Sequence, residues 1–291
     1  MKVSSPDRRP QSDKSWPGEV HGKQSVLNIK MEKEWKMNRK SLEEHLVFAE
    51  DCARLAFFFA YDLAEKHPDE TLESILRQRS PLYHVALGLD HKVPLEIFTR
   101  FPAASSAADF EVKMWNQCRE FILRRSEVYY PDSLGMGLHG IWQAECFKFD
   151  RPLPGFPGRC FFHIGNARAP ESLFADRKYI ADHLLLMLDL MEKEYGAKEA
   201  ATASWLNSKP VWLSFFPDEW QLHMEDRPAL PQWHLGYWGQ IVSARGTCNL
   251  KTCQFIREHR KLRYTDRYSW CPIPVLRRHL VNMNEKGFSN E

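Results

Sequence analysis

A histidine and an asparagine stand at the end of an apolar run in the second half of the chain, FFHIGN (161–166). The run predicts a buried strand, and α/β proteins often present active-site groups where a strand ends at the carboxyl edge of a sheet. There His163 would serve as a general base and Asn166 as a donor to a substrate carbonyl oxygen. The alternative is a core histidine followed by an asparagine in an ordinary turn.

A second strand, predicted over KEAATASWLN (198–207), also ends in polar side chains. If it lies parallel to the first strand, both ends meet at one edge of the sheet and form a crevice. Asn207 is then a further catalytic candidate that would position the substrate, while Ser204 and Trp205 would contact it. A tryptophan that is simply packed in the core is the alternative for Trp205.

His139 and Glu145 flank the segment HGIWQAE and are weaker candidates for substrate contact. Their spacing of six places them on one face of a strand but not of a helix. The histidines form neither H-x-x-x-H nor H-E-x-x-H, so we predict no metal site. The G-x-S-x-G, P-loop and G-x-G-x-x-G motifs are also missing, which removes the main support for hydrolase, P-loop and Rossmann functions.

Helical periods fill the first half of the chain, and strands alternate with helices in the second. Ser41 and Glu44 form an S-x-x-E capping box at the first helix. We predict helices over 41–67, 69–79, 106–130, 176–196, 208–220, 249–262 and 272–283, and strands over 159–166, 198–207 and 234–245. The expected fold class is α+β, with an α/β-like second half: a helical subdomain followed by a mixed sheet with flanking helices.

The chain divides into three predicted parts. The first 40 residues hold ten Lys or Arg against five Asp or Glu, so we expect residues 1–38 to be a disordered basic tail. A joint over 133–158 ends in prolines and glycines that continue neither a helix nor a central strand. It separates a helical subdomain, 39–132, from an α/β subdomain, 133–291.

Composition excludes several classes of protein. The net charge is +2, and the basic tail accounts for it, so the body has no electrostatic reason to bind nucleic acid. No run reaches the roughly 18 apolar residues of a membrane span, and the start lacks the apolar core of a secretory signal. The seven cysteines include no C-x-x-C pair, which argues against a disulfide framework or zinc ribbon. We expect a cytoplasmic protein with no membrane partner.

The order of motifs over residues 138–220 resembles part of a known enzyme group. LHGIWQAECFKFDRPLPG is followed by FFHIGN, a long helix ending in Tyr-Gly, ATASWLN, and a short helix with Phe-Pro. This order is similar to the carboxyl-terminal domain of a little-characterised group of bacterial acyltransferases with a GNAT-like fold. The resemblance covers less than a third of the chain. It implies an acyl-coenzyme A, or another acyl thioester, held between two splayed strands.

The same resemblance implies a loop for the pyrophosphate of coenzyme A. GNAT-like folds use an Arg/Gln-x-x-Gly-x-Gly/Ala loop that opens a helix, and the candidate equivalent is SARGTCNLK (243–251). Ser243, Arg245 and Gly246 would bind the cofactor there, although the second glycine of the pattern is missing. The alternative is an ordinary turn with Gly246 at a positive φ.

Three hypotheses of different classes follow. The first is a biosynthetic transferase that moves an acyl group from a thioester donor to the amine or hydroxyl of a small molecule. The second is a non-catalytic protein that binds a partner through an aromatic-rich surface, since six of the ten tryptophans lie between Trp205 and Trp270. The third is a metal-dependent oxygenase, which would need His45, Glu50 and other residues to converge.

The shape of the surface distinguishes the first two hypotheses. A catalyst should have a deep cleft at the two strand ends, whereas a binding module should have a flat aromatic patch. The oligomeric state stays open.

Overall fold

The computed structural model of the chain describes residues 40–133, 142–152, 155–227 and 232–287. The predicted tail, 1–38, and the candidate His139 lie outside the described residues. The described part has an α+β architecture, as the sequence predicts, with helices followed by a mixed sheet. No helix in this part combines the length and the apolar character needed to cross a bilayer.

Three helices form the first half of the described chain: α1 (Leu42–Lys66), α2 (Leu72–Gln78) and α3 (Ala107–Ser133). α1 begins at the predicted capping box, in which the Ser41 hydroxyl accepts from the Glu44 N–H and the Glu44 carboxylate accepts from the Ser41 N–H. α1 packs along α3. A π-helical turn (Leu82–Ala86) and a 3-10 turn (Glu96–Phe98) join α2 to α3.

The described residues of the second half contain six strands: β1 (Trp142–Ala144), β2 (Phe147–Phe149), β3 (Arg159–Ile164), β4 (Glu199–Ser204), β5 (Glu225–Asp226) and β6 (Arg267–Pro272). They form one sheet in the order β1-β2-β3-β4-β6-β5. β3 and β4 are parallel, and the other neighbouring pairs are antiparallel.

Helix α4 (Arg177–Tyr195) makes the crossover from β3 to β4. The Asp176 side chain caps its first turn, and Gly196 ends it in the left-handed region with φ 60°, as the sequence predicts. The remaining helices are α5 (Pro210–Leu213), α6 (Asp218–Leu222), α7 (Leu235–Trp238), α8 (Leu250–His259) and α9 (Ile273–Lys286). Short 3-10 turns occupy Leu173–Ala175, Trp205–Ser208 and Gly239–Ile241.

In the described part of the chain, the buried side chains form two hydrophobic cores. The second core lies between the sheet and α4, α5, α6 and α9. The first lies between α1, α2 and α3, but it also contains side chains from residues 237–256, namely Tyr237, Trp238, Ile241 and Ile256. After β5 the chain therefore returns to the helical half before it re-enters the sheet as β6. The predicted division at residue 133 does not anticipate this return.

The predicted strand over 234–245 is wrong, because the segment forms α7 and a 3-10 turn instead. The His234 ring accepts a hydrogen bond from the Gly236 N–H and starts the helix. Tyr237, Trp238 and Ile241 are buried, a spacing of three and four that suits a helical face rather than a strand. β4 also ends earlier than predicted, at Ser204. The predicted helix over 208–220 is two short helices, α5 and α6.

The buried His45 makes stability depend on pH. Its ring lies against Ser126 and Ser133, and burial, with a contribution from Lys40, lowers its pKa to about 4. Between about pH 6.5 and 4, His45 therefore binds a proton in the unfolded chain but stays neutral in the native state. We expect stability to fall with pH in this window, by up to about 1.4 kcal/mol per pH unit from this group. The free energy of unfolding, measured by urea denaturation at pH 7, 6 and 5, should depend less steeply on pH in His45→Gln than in the wild type. An unchanged dependence on pH would contradict this account.

Candidate functional site

The parallel strands β3 and β4 separate before either of them ends. The residues paired between them run from Arg159 with Glu199 to Phe161 with Ala201, and both strands continue for three more residues. In this continuation the Thr202 hydroxyl donates to the Phe162 carbonyl at 2.7 Å, where a ladder would use a backbone N–H. The two strands therefore diverge toward their carboxyl ends.

A cavity of about 490 Å³ lies at this divergence. It is lined by the last residues of both strands, by the loop after β3 and by the segment from α7 to the start of α8. Five of the residues proposed from the sequence line it together: His163, Asn166, Ser204, Trp205 and Ser243. The two strand ends thus share a crevice, as parallel strands allow.

His163 lies on β3 and is oriented by a carboxylate. Its Nε2 lies 2.7 Å from Oδ2 of Asp150, which follows β2, and the His163 side chain is 27% exposed. When Nε2 carries the proton that is donated to Asp150, Nδ1 is the basic nitrogen of the ring. A carboxylate that fixes the tautomer of an imidazole is the arrangement that a general base requires.

The backbone of Ile164 faces the gap between the strands. On the β2 side, the Gly165 N–H donates to the Cys146 carbonyl at 2.8 Å. Backbone groups of successive strand residues point to opposite edges, so those of Ile164 point toward β4. β4 has already diverged at this height. The Ile164 N–H is therefore directed into the gap between β3 and β4.

Aromatic rings surround a lysine on another wall of the cavity. The Nζ of Lys209 lies 5.2 Å from the Trp205 ring centroid, 5.4 Å from that of Tyr264 and 5.8 Å from that of Phe174. Lys209, Trp205 and Phe174 all line the cavity. Burial lowers the pKa of Lys209, and the nearby cation Arg263 lowers it further.

Asn166 ties two walls of the cavity together. Its Nδ2 donates to the carbonyls of Glu171 at 2.8 Å and of Ala244 at 3.2 Å, and its Oδ1 accepts from the Arg168 N–H. Both amide hydrogens are therefore engaged within the protein. This gives Asn166 a positioning role at the cavity, and the proposed donation to a substrate would require one of these bonds to open.

The segment that covers the strand ends is fixed to the helical core. The Trp238 ring packs edge-on against Phe59 with centroids 5.1 Å apart, and its Nε1–H donates to the Arg79 carbonyl. Arg257 of α8 pairs with the buried Glu111 of α3. Because both ends of this segment are anchored, the cavity wall that it forms is held against β3 and β4.

Asn207 has a structural environment and does not line the cavity. It is completely buried in the 3-10 turn after β4. Its Nδ2 donates to the Arg267 and Thr202 carbonyls, and its Oδ1 accepts from the indole N–H groups of Trp212 and Trp220. A polar residue at a strand end thus packs inward here, and the substrate-positioning role proposed from sequence has no geometric support.

The proposed anion-binding loop has internal partners. Arg245 pairs with Glu44 at 3.4 Å, and the Gly246 carbonyl accepts from the Lys40 ammonium at 3.1 Å. The Asn249 side chain caps α8 by accepting from the Thr252 N–H. Gly246 has φ +79°, as the turn alternative requires. Of this loop, Ser243, Ala244 and Asn249 line the cavity.

The last described candidate, Glu145, lies away from the cavity. It stands in the turn between β1 and β2 at φ 50°, and its carboxylate accepts from the Tyr179 hydroxyl.

Two residues of the cavity region, Asp150 and Lys209, were not predicted from the sequence. Asp150 follows the FKF strand, and its partner becomes known only when β2 pairs with β3. Lys209 had a weak signal, since it directly follows the polar strand end.

Among the described residues, no three His, Cys, Asp or Glu side chains gather as metal ligands. The oxygenase hypothesis depended on His45 and Glu50. The His45 ring contacts the hydroxyls of Ser126 and Ser133, and Glu50 pairs with Arg54. Both side chains therefore have protein partners in the described structure.

Replacement of Asn207 should destabilise the fold. Asn207→Ala leaves two buried indole N–H groups without their acceptor, and each unsatisfied donor costs about 1–3 kcal/mol of stability. We expect a loss of about 3 kcal/mol in the free energy of unfolding, measured by urea denaturation. Asn116→Ala, on the exposed face of α3, is the control and should stay within about 0.5 kcal/mol of the wild type. Equal stability of the two variants would contradict this assignment.

A methyl group at Gly239 should displace a wall of the cavity. A Cβ at Gly239 would lie 2.8 Å from Nε1 of Trp205, so the indole must shift. We expect Gly239→Ala to lose about 1–3 kcal/mol of stability and to change tryptophan fluorescence. Gly158→Ala is the matched control, because its Cβ would approach Lys198 at an ordinary 3.6 Å. If both variants behaved alike, close packing at Gly239 would be refuted.

No protein-family model, curated protein or solved structure matches this chain. A function is therefore inferred from the chemistry of the cavity. That chemistry comprises a carboxylate-oriented histidine, a backbone amide directed into a gap between strands, and a lysine among aromatic rings.

Proposed function

We propose that the cavity between the ends of β3 and β4 is an acyl-transfer site, where a small-molecule amine or alcohol receives an acyl group from a thioester. One observation carries the proposal: a gap between parallel strands and an imidazole oriented by a carboxylate, His163 with Asp150, lie at the same cavity. The gap supplies a backbone donor for the thioester carbonyl, and the imidazole supplies a base for the acceptor.

A GNAT-like fold is part of this proposal, and the topology of the sheet supports it. β3, α4 and β4 form a parallel pair joined by a helix, with antiparallel strands on both sides. The resemblance in motif order implies a thioester held between two splayed strands, and β3 and β4 are the pair that diverges. The donor is an acyl-coenzyme A or another acyl thioester. Since Arg245 and Gly246 have protein partners, the proposal does not depend on them for the carrier's phosphates.

The reaction assigns one task to each group at the cavity. The thioester carbonyl accepts a hydrogen bond from the Ile164 N–H, which stabilises the negative charge that develops on its oxygen. The acceptor nitrogen or oxygen forms a bond to the carbonyl carbon while Nδ1 of His163 takes its proton. The carbon–sulfur bond then breaks, and the imidazolium returns that proton to the leaving thiolate. Asp150 stabilises the imidazolium during this interval.

The binding-module alternative predicts a flat aromatic surface, and the described residues give it little support. Three tryptophans of the second half, Trp212, Trp220 and Trp238, are fully buried. Among the exposed large hydrophobic side chains of the described chain, Phe156 is the one aromatic residue. The strand ends instead border a concave cavity, which is where a catalyst needs its reactants.

A cytoplasmic location is also part of the proposal. All seven cysteines are free thiols, and five of them are buried. Free thiols are the usual state of cysteine in reducing compartments.

The direct test is turnover with a panel of acyl-coenzyme A and acyl-pantetheine thioesters and a mixture of small amines and alcohols, with thiol release measured by chromatography. We expect His163→Ala to lower kcat by about 100-fold or more while KM for the thioester changes little. Asp150→Asn should give a smaller loss of kcat.

His259→Ala is the matched control, because His259 is exposed on α8. It should retain wild-type turnover. Turnover by His163→Ala at the wild-type rate would remove His163 from the mechanism. If none of the thioesters were cleaved or raised the Tm of the wild-type protein, the transferase would be refuted in favour of a binding module.

A further inference from the structure

The ammonium group of Lys209 has no partner of opposite charge in the described structure. The groups that perturb its pKa are its own burial and the cation Arg263, and they include no carboxylate. Its neighbours are the rings of Phe174, Trp205 and Tyr264. A half-buried cation that faces a cavity without a counter-ion is incompletely compensated.

The ring contacts alone compensate the charge of Lys209 only weakly. The distances from Nζ to the three ring centroids, 5.2–5.8 Å, lie near the outer limit of about 6 Å for a cation–π interaction. Two other basic residues between α7 and β6 have acidic partners: Arg245 pairs with Glu44, and Arg260 pairs with Asp62. Lys209 therefore differs from them in facing the cavity without such a partner.

Two hydroxyl groups of the cavity can add hydrogen bonds to the same ligand. Ser204 accepts from the Leu206 N–H and Ser172 accepts from the Phe174 N–H, each through Oγ. A serine hydroxyl carries one hydrogen in addition to its acceptor lone pairs. Ser172 and Ser204 line the cavity with Lys209, and their hydroxyl hydrogens are donors for an anion.

We propose that Lys209 binds a carboxylate or phosphate group of the acceptor, so that the acceptor is an anionic amine or hydroxy compound. That the bound anion is the acceptor rests on the proposed acyl transfer, but the anion site itself does not require catalysis. In this arrangement Lys209 holds the acceptor on the β4 side while His163 on β3 removes its proton. Charge on Lys209 then selects acids over the corresponding neutral or cationic compounds.

Competitive labelling of lysines in the full-length protein tests the anion site. Reductive methylation requires the neutral amine, so an anion that holds Lys209 in its charged form slows its labelling. We expect inorganic phosphate or acetate, at matched ionic strength, to slow labelling at Lys209 several-fold, as read by peptide mass spectrometry. Lys193, exposed on α4, is the internal control and should keep its rate. Equal labelling of Lys209 with and without both anions would overturn the proposal.

The two probes also distinguish the source of the charge. Protection by acetate indicates a carboxylate acceptor, and protection by phosphate alone indicates a phosphorylated one. Stabilisation of the protein by the protecting anion should survive in Lys209→Arg and disappear in Lys209→Met. Stabilisation that persists in Lys209→Met would overturn the proposal.

The outcomes are separable from those of the transferase test. Anion protection at Lys209 without any thioester cleavage would refute acyl transfer and leave the anion site intact. Thioester cleavage through His163 without anion protection would refute the anion site alone.

Discussion

The divergence of β3 from β4 is the constraint on which the candidate site depends. A parallel pair normally satisfies its backbone groups along its whole length, because an unpaired buried N–H or carbonyl is costly. Here the ladder stops at Phe161 and Ala201. The Thr202 hydroxyl satisfies the Phe162 carbonyl, and the next amide, that of Ile164, faces the gap. The opening is thus built into the strands themselves.

The return of the chain to the helical core adds a further wall to this opening. Trp238 is buried against Phe59, so α7 and the turn after it lie across the ends of the strands. Gly239 permits the close approach of Trp205, and Asn166 connects the loop after β3 to Ala244. Sites at the junction of two packed units are common, because each unit supplies a rigid wall. The pocket therefore depends on packing that belongs to both hydrophobic cores.

Local signals predicted much of the fold, and long-range contacts explain the rest. The capping box at Ser41 and the glycine at 196 mark helix ends through backbone chemistry that is visible in sequence. The segment 234–245 was wrongly predicted to be a strand. Its buried aromatic residues are compatible with a strand, and only their spacing of three and four indicates a helix. β6 was missed because prolines and charged residues surround its short alternation. His163 was found at a strand end, whereas Asp150 became its partner only through strand pairing. Nothing local to Asn207 indicates that its amide turns inward to two indoles.

The most direct test of the account is the amide resonance of Ile164. A non-cleavable acyl-pantetheine thioether, titrated into isotope-labelled protein, places a carrier arm without turnover. If the arm enters the gap between the strands, the Ile164 amide signal shifts with saturation, while that of Gln117 on α3 stays unchanged. Saturable shifts confined to residues outside the ends of β3 and β4, or no shifts at all, would contradict the claim that the diverging strands bind a thioester.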